Sequence, residues 1–261
     1  DGNGNWNSFQ SPELIVYNSA LSATDISKIN TYLSVKYSIP LDGGNSNYVS
    51  SNGTIIWPTH ATYKSDIFGI GRDDCSGLMQ KQSTAWVESA TNNLRIALGS
   101  LAADNLSNTG SFAANNQFLM VGHNGLALTA VNTGIPAAYT AVSCNANRYL
   151  RTWKAVNTGS VTGVQLIFGS STSPVPGNWS NIQLAIDADG NGNFTDGTIT
   201  LLSPATVNGG AATFNNVTIP DGATFTLLFT IGYPGGINSP ATGTATIGGV
   251  PYTNGVAYTL Y

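Results

Sequence analysis

Residues 182–203 read "IQLAIDADGNGNFTDGTITLLS", and this stretch decides the fold class. Its two ends, "IQLAID" and "TITLLS", are short runs rich in aliphatic and β-branched residues, which are typical of strands. The segment between them consists mainly of Asp, Asn and Gly, which predicts a tight polar turn. The stretch therefore predicts two antiparallel strands joined by a polar loop.

Runs of the same kind recur along the chain, separated by turns rich in Gly, Asn and Asp. They are "GTIIWP", "NLRIALGS", "QFLMVGHN", "RYLRTWKAV", "GVQLIFGS", "ATFNNVTI" and "TFTLLFTIG". Turns at this frequency favour an all-β fold built as an antiparallel β-sandwich.

One short amphipathic helix is predicted near the N-terminus, from about Ser22 to Tyr37, with Pro40 just past its end. Ser22 and Asp25 form a capping box at its start. Apolar residues spaced three and four apart predict its buried face: Ile26, Ile29, Leu33 and Tyr37. The preceding run "PELIVYN" predicts a buried strand.

Charged residues make up only 8% of the 261 residues, and the net charge is -4. Such a balance is usual in secreted β-rich modules. The nine basic residues are scattered and form no stripe for phosphates, so we expect no nucleic-acid partner. Because no run of about 18 apolar residues occurs, we also expect no membrane span.

The segment "SPELIVYNSALSATDISKINTYLSVKYSIPL" resembles the closing strand and helix of laminin-G or concanavalin A-like jelly rolls. The next segment, "GTIIWPTHATYKSDIFGIGRDDCSGLMQKQS", is similar to a domain of unknown function that follows such jelly rolls in large exported proteins of the Bacteroidetes lineage. The stretch from "RYLRTWKAV" through "LAIDADGNGNF" to "IPDGATFTLLFTIG" resembles the second half of that domain. The resemblance implies an extracellular or cell-surface protein, often an adhesin, without an established enzymatic activity.

This resemblance divides the chain into three parts. Residues 1–41 would be the strand and helix remnant of a jelly roll. Residues 42–232 would be the β-sandwich region, with a possible division into two subdomains near residue 146. Residues 233–261 would be a Gly- and Pro-rich linker and a C-terminal strand.

The loop of the opening stretch is a candidate calcium site. It alternates oxygen-bearing side chains with small residues and has Gly192 at the sixth place, as in the first half of an EF-hand loop. The twelfth place holds Thr198 instead of a glutamate. The alternative is a polar hairpin loop selected for its backbone conformation alone. The candidate metal ligands are Asp187, Asp189, Asn191, Asn193 and Asp196.

Residues 1–6, "DGNGNW", nearly repeat residues 189–194, "DGNGNF". The first copy has no aspartate two residues upstream in this sequence. It is interpreted as a turn leading into "PELIVYN", or as half of a loop completed by a preceding segment.

Cys75 and Cys144 are the two cysteines, too few for a disulfide framework or a zinc knuckle. They would form one disulfide in an oxidising compartment. The alternative is a pair of buried free thiols.

The sequence lacks the usual motifs of the enzyme classes considered, so we expect that the protein is not an enzyme. Charges crowd at Arg72, Asp73 and Asp74, where the alternatives are a ligand site or an internal pairing of Arg72 with a carboxylate. The two histidines, His60 and His123, are too few for a metal-hydrolase centre. The glutamates available for glycoside hydrolysis are Glu13 and Glu88, and the position of Glu13 favours a structural role.

Tryptophans could line a sugar-binding platform, which makes a carbohydrate-binding module the alternative function. Alternation sends Trp153 to the core, and Trp57 ends a strand, so core packing is expected for both. Trp86 belongs to the same aromatic set. Trp179, in the loop "SPVPGNWSN", is the candidate ligand residue.

The sequence favours a structural or adhesive module, with a fibre subunit assembled by strand addition as its more specific form. The C-terminal run "NGVAYTLY" follows a Gly- and Pro-rich stretch and alternates Val256, Tyr258 and Leu260. Such a strand could close its own sheet, or could add to an exposed edge of a neighbouring copy. The expected partners are therefore other protein copies or neighbouring domains, with a glycan as the alternative.

Overall fold

The structure is a computed structural model. It describes residues 12–85, 94–143, 145–169 and 175–231, together with the backbone of residues 245–247 and 250–252. Two α-helices are described, α1 (Ala23–Tyr37) and α2 (Ala137–Thr140), and a 3₁₀ turn covers Leu41–Gly44.

The strands in the described part of the chain are, in order: β1 (Tyr48–Val49), β2 (Ile55–Trp57), β3 (Ser65–Asp73), β4 (Leu78–Gln80), β5 (Gln82–Thr84), β6 (Arg95–Leu98), β7 (Gln117–His123), β8 (Ala130–Val131), β9 (Ala146–Tyr149), β10 (Trp153–Thr158), β11 (Val164–Phe168), β12 (Trp179–Asp187), β13 (Ile199–Leu202), β14 (Thr206–Asn208), β15 (Ala211–Val217), β16 (Thr224–Ile231), β17 (Ala245–Ile247) and β18 (Val250–Tyr252).

Two antiparallel sheets form the body of the protein. The large sheet runs β13-β12-β16-β10-β7-β3-β4, with β9 attached to β16 and β8 to β9. The small sheet runs β14-β15-β11-β6-β5. The hairpins β1–β2 and β17–β18 stand apart from both sheets. The expectation of an all-β antiparallel sandwich is confirmed, and the predicted strand runs between residues 53 and 232 each contain at least one observed strand.

The main core lies between the two sheets, where alternate residues of each strand face the other sheet. The large sheet contributes Phe68, Leu119, Trp153, Leu184 and Phe225, among others. The small sheet contributes buried residues of the same kind: Ile96, Leu98, Val164, Leu166, Phe168 and Phe214. Strands from either side of residue 146 therefore share one core.

A second apolar layer covers the outer face of the large sheet. At one half of the sheet, α1 and the β1–β2 hairpin pack on it through a cluster that includes Val35, Tyr48, Trp57 and Phe118. At the other half, a smaller cluster includes Tyr139 of α2 and Phe194 of the polar loop. The expected core positions of Trp57 and Trp153 are confirmed, since they are 1% and 0% exposed.

Helix α1 begins as predicted, because the Ser22 hydroxyl accepts a hydrogen bond from the Asp25 main-chain nitrogen at 3.1 Å. Its predicted buried face is wrong. The buried residues are Thr31, Ser34 and Val35, whereas Ile26 is 46% exposed.

Small polar residues can face the sheet because their hydroxyls find partners there. The Thr31 hydroxyl accepts from the Val49 main-chain nitrogen at 2.8 Å, and the Ser34 hydroxyl donates to the Ile39 carbonyl at 2.5 Å.

The run "PELIVYN" is also not the buried strand that its pattern predicts. No strand is assigned there, and Leu14 and Val16 are 83% and 80% exposed.

Strand β3 was missed by sequence reasoning because its glycines suggest a loop. At Gly71, a Cβ atom would lie 2.2 Å from the Phe118 ring, and at Gly69 it would lie 2.5 Å from the Leu119 carbonyl oxygen. These glycines therefore let β7 approach closely within a regular strand.

Candidate functional site

The polar loop between β12 and β13 is built around Asp187, which ends β12 and is fully buried. Its Oδ2 accepts hydrogen bonds from the Gly192 main-chain nitrogen at 2.9 Å and from the Thr224 hydroxyl at 2.8 Å. Its Oδ1 accepts from the Asp189 main-chain nitrogen at 3.2 Å. Asp187 thus connects the loop to strand β16.

Each following oxygen-bearing side chain folds back onto the chain two residues later. Asp189 Oδ1 accepts from the Asn191 main-chain nitrogen, Asn191 Oδ1 from that of Asn193, and Asn193 Oδ1 from that of Thr195. These successive Asx turns explain the alternation of Asp and Asn with small residues. Gly192 adopts a φ of 82°, which suits glycine at the sixth place.

Asp196 closes the loop from its other end. Its Oδ2 accepts from the Asn193 amide at 2.8 Å, and its Oδ1 lies 3.5 Å from the Asn191 amide. The predicted ligand residues are therefore brought together. Thr198, at the twelfth place, uses its carbonyl to accept from the Ala188 main-chain nitrogen at 3.3 Å, which continues the ladder between the strands.

No group of three or more His, Cys, Asp or Glu side chains among the described residues is arranged to hold a metal ion. A calcium ion in this loop would therefore depend on amide and main-chain oxygens as well as on carboxylates. Such mixed oxygen ligands are ordinary for calcium.

Like charges crowd within the loop. The hydrogen bond from the Asn191 main-chain nitrogen lowers the pKa of Asp189, but desolvation and the carboxylates of Asp187 and Asp196 together raise it above its ordinary value. A bound cation would relieve this repulsion.

Three side chains outside the alternating pattern hold the loop in place. Phe194 turns inward and is 1% exposed, in the cluster with Tyr139. The Lys154 ammonium donates to the carbonyls of Gly190 and Gly222 at 3.1 and 2.6 Å. Desolvation lowers the pKa of Lys154, although the charge of Asp187 opposes this effect.

The third anchor is Tyr63, whose hydroxyl lies so close to Gly192 that a Cβ atom there would be 2.7 Å away. These anchors could be identified only from the folded structure. Lys154 comes from strand β10, Tyr63 from the segment before β3, and Phe194 from the loop itself.

The charges near "GIGRDDCSGL" pair internally. Arg72 donates to both carboxylate oxygens of Asp74, at 2.7 and 2.9 Å. Asp73 is 3% exposed and accepts from the main-chain nitrogen and the hydroxyl of Ser51. This arrangement supports the structural alternative for these residues.

The two histidines also serve nearby turns. His123 is 2% exposed, its Nε2 lies 2.9 Å from Asp66 Oδ2, and its Nδ1 accepts from the Gly125 main-chain nitrogen at 2.9 Å. His60 Nδ1 accepts from two main-chain nitrogens at 3.1 Å. Desolvation and the Lys154 charge lower the pKa of His60.

Glu13 fastens the segment before α1 to the helix. Its carboxylate accepts from the hydroxyls of Tyr32 and Tyr37 and from the Lys36 ammonium, at 2.9–3.0 Å. The hydrogen bond from Lys36 is the largest of the contributions that lower the pKa of Glu13. The structural role predicted for Glu13 agrees with these contacts.

Trp179 is half-buried at the start of β12 and stacks on Phe229, with ring centroids 3.4 Å apart. Tyr149 meets it edge-on at 5.2 Å. One face of the indole is therefore used inside the protein, and its role as a sugar-stacking residue stays a prediction.

Cys75 is exposed and lies in the turn between β3 and β4. The alternative of a buried thiol is wrong for Cys75, and the disulfide stays a prediction because Cys144 lies outside the described residues. Other predicted residues that lie outside the described part are Trp86, Glu88, Val256, Tyr258, Leu260 and the first copy of the repeat, residues 1–6.

Sequence reasoning did not anticipate an open groove beside α1. It has a volume of about 480 Å³, and its apolar lining comes from Ile15, Tyr17, Leu21, Ile29 and Tyr32. The exposure of the run "PELIVYN" could not have been read from its composition. Among the described residues, no helix has the length and apolar character needed to cross a membrane.

No curated protein and no solved structure matches this chain. A family of proteins does match it over residues 25–223, about three quarters of the chain, from the start of α1 to the start of β16. That family is described as a domain of unknown function, DUF8202. The match includes α1, which agrees with the packing of this helix on the large sheet. The chain therefore belongs to the DUF8202 family.

Proposed function

We propose that this chain is a structural or adhesive module of a bacterial cell-surface or extracellular protein, stabilised by calcium and able to assemble into a fibre by strand addition. The observation that carries this proposal is how its ionisable groups are used. Arg72 pairs with Asp74, Glu13 pairs with Lys36, and His123 Nε2 lies 2.9 Å from Asp66 Oδ2, so these groups fasten loops and segments of the fold.

Calcium belongs to this proposal because the β12–β13 loop gathers its oxygens around a buried carboxylate. The ion would be held by Asp187, Asp189 and Asn191, by the main-chain carbonyl of Asn193 and by Asp196. The carboxylates of Asp187 and Asp196, which together with desolvation raise the pKa of Asp189, support the same site because a cation would compensate their charge.

A calcium-bound loop would stiffen one end of the sandwich. Phe194 anchors the loop in the apolar cluster on the outer face of the large sheet. The hydrogen bond from the Thr224 hydroxyl to Asp187 connects the loop to β16. Ordering the loop would therefore stabilise both the outer layer and the central strands, which suits a protein that bears load outside the cell.

Assembly of the purified full chain tests the function. Negative-stain electron microscopy and light scattering should show multimers or filaments in calcium-containing buffer. A strictly monomeric protein at high concentration would contradict the fibre subunit.

The alternative is a carbohydrate-binding module, and the half-buried Trp179 is the observation that favours it. A glycan array with Trp179→Ala as control separates the two functions. Specific sugar binding that is lost in the variant would favour the alternative, whereas an array without specific binding favours the structural module.

A further inference from the structure

The segment Leu14–Tyr17 has the features of a strand without a partner. Side-chain exposure alternates along it, at 83% for Leu14, 37% for Ile15, 80% for Val16 and 47% for Tyr17. Such alternation indicates an extended chain with one row of side chains towards α1 and the other towards solvent. Within the described residues, its main-chain groups make no hydrogen bond with other main-chain groups.

This arrangement leaves an exposed edge at which another strand could pair. Main-chain groups without main-chain partners in the described part of the chain, beside exposed aliphatic side chains, are the features by which an edge recruits another strand. The groove beside the segment adds an open volume of about 480 Å³, lined by Ile15, Tyr17 and other apolar side chains and, at its polar part, by Glu13, Asp25 and Lys28. The segment and its groove are together called the docking strip.

The strip is firmly placed and is not a loose end. Glu13, the residue just before it, bonds to Tyr32, Lys36 and Tyr37 of α1 at 2.9–3.0 Å. An incoming strand would thus meet a preformed edge, which lowers the entropic cost of association.

We propose that the docking strip receives the C-terminal strand, residues 254–261, of a neighbouring copy of this chain. This inference rests on the proposed function and names the acceptor for its strand addition. The strand's main chain pairs with Leu14–Tyr17 while Val256, Tyr258 and Leu260 enter the groove. Its alternate residues then flank Leu14 and Val16.

Composition points to this occupant. Residues 232–261 contain no Asp, Glu, Lys, Arg or His, although they include aromatic and aliphatic side chains. An uncharged strand brings no charge of its own against the apolar side chains of the groove, whose charged lining residues are Glu13, Asp25 and Lys28. Alternation of Val256, Tyr258 and Leu260 also places three apolar side chains on one face of the strand.

Distance favours a neighbouring copy over the same chain. Ser65 of β3 and Phe225 of β16 lie in one row across the large sheet. From that row β3 runs to Arg72, towards the turn that lines the groove, whereas β16 runs the opposite way to Ile231. Along the strands, the groove and the end of β16 are therefore about 40 Å apart.

The connecting chain spans that distance poorly. The hairpin β17–β18 returns on itself, which leaves residues 232–244 and 253 to connect β16 to the docking strand. These roughly 14 residues would reach about 48 Å when fully extended but would span about 21 Å as a flexible coil. Docking on the same chain would require a nearly taut linker, and docking on a neighbour would not.

Cys75 and Ser76 line the groove, so the exposed Cys75 thiol can report the docked strand. In a full-length Cys144→Ser background, cysteines would be placed singly at Val256, Tyr258 and Leu260, with Ala257→Cys and Thr259→Cys as controls on the opposite face. Under mild oxidation, at least one variant of the first set should give disulfide-linked dimers and higher multimers. The yield should exceed that of both controls by at least about fivefold.

A second comparison needs no added cysteine. Val16→Asp should reduce the multimeric fraction at least about fivefold, because it places a charge beside the incoming strand. Leu106→Asp is the matched control, since Leu106 is 91% exposed and does not line the groove. Both positions are exposed, so both variants should fold as the parent does.

The outcomes separate this inference from the proposed function. Cross-linked monomers in place of multimers would overturn it in favour of pairing within one chain. Multimers that form normally without cross-links to Cys75, and that persist in Val16→Asp, would overturn the acceptor while leaving the fibre subunit intact. A chain that never assembles would overturn both.

Discussion

Replacing Asp189 with Asn tests the calcium loop with two effects of opposite sign. The amide keeps an oxygen that can accept the hydrogen bond from the Asn191 main-chain nitrogen, so the Asx turn survives. It removes a carboxylate whose pKa is raised by desolvation and by the charges of Asp187 and Asp196. Without calcium, Asp189→Asn should therefore be at least as stable as the parent protein.

With calcium the order should reverse. Extracellular sites with mixed oxygen ligands bind with Kd values of about 0.1 to 1 mM, so about 10 mM calcium should stabilise the parent by roughly 1.4 to 2.7 kcal/mol. For a domain of this size that corresponds to a rise in Tm of about 3 to 10 °C. Asp189→Asn should lose most of this rise.

Differential scanning fluorimetry in chelator and in calcium measures both effects. Asp104→Asn is the matched control, because Asp104 is an exposed aspartate that pairs with Ser107 in a different loop. It should keep the full calcium-dependent rise. An equal Tm for the parent in chelator and in calcium would refute the calcium site.

Three further results are expected. The calcium-dependent rise in Tm should be full at about pH 7 and shrink towards about pH 4, because the raised pKa of Asp189 lets protons compete with the ion; a rise independent of pH would contradict this coupling. Gly71→Ala should lower the free energy of unfolding by about 1 to 3 kcal/mol in urea titrations, since its Cβ would meet the Phe118 ring, whereas Gly177→Ala, with open space around it, should change little. Trp179→Ala should lower the free energy of unfolding by about 2 to 4 kcal/mol, because it removes the indole that stacks on Phe229. An unchanged free energy of unfolding would contradict this structural role and would favour a role in ligand binding.

Most of the fold that could be predicted from the sequence followed from local residue patterns. Strands such as β12 and β16 follow from short apolar runs between turn residues, because alternation and turn chemistry are local properties. Strand β3 did not, since Gly69 and Gly71 are explained only by the β7 residues packed above them. Which strands pair, and on which face a layer is added, depends on contacts distant in sequence.

The position of helix α1 was predicted correctly from the sequence, but its buried face was not. Hydrophobic spacing assigns Ile26 and Ile29 to the core, yet the sheet takes the side with Thr31 and Ser34 because their hydroxyls bond to nearby main-chain groups. Ile26 is thereby left 46% exposed, and Ile29 is only half-buried. Hydrophobic periodicity identifies the apolar face of a helix but does not show what packs against it.

The candidate calcium loop was predictable in its ligand-bearing residues and not in its anchors. The alternation of Asp and Asn with small residues corresponds to successive Asx turns in the structure. The burial of Phe194 and the two carbonyl contacts of Lys154 require the folded neighbours.

The most direct test of the central claim is multi-angle light scattering of the intact chain across a wide concentration range, with calcium present. A self-assembling module predicts a mass that rises with concentration and returns to that of the monomer when residues 253–261 are deleted. A mass that stays at one 27.1 kDa chain throughout would contradict the account.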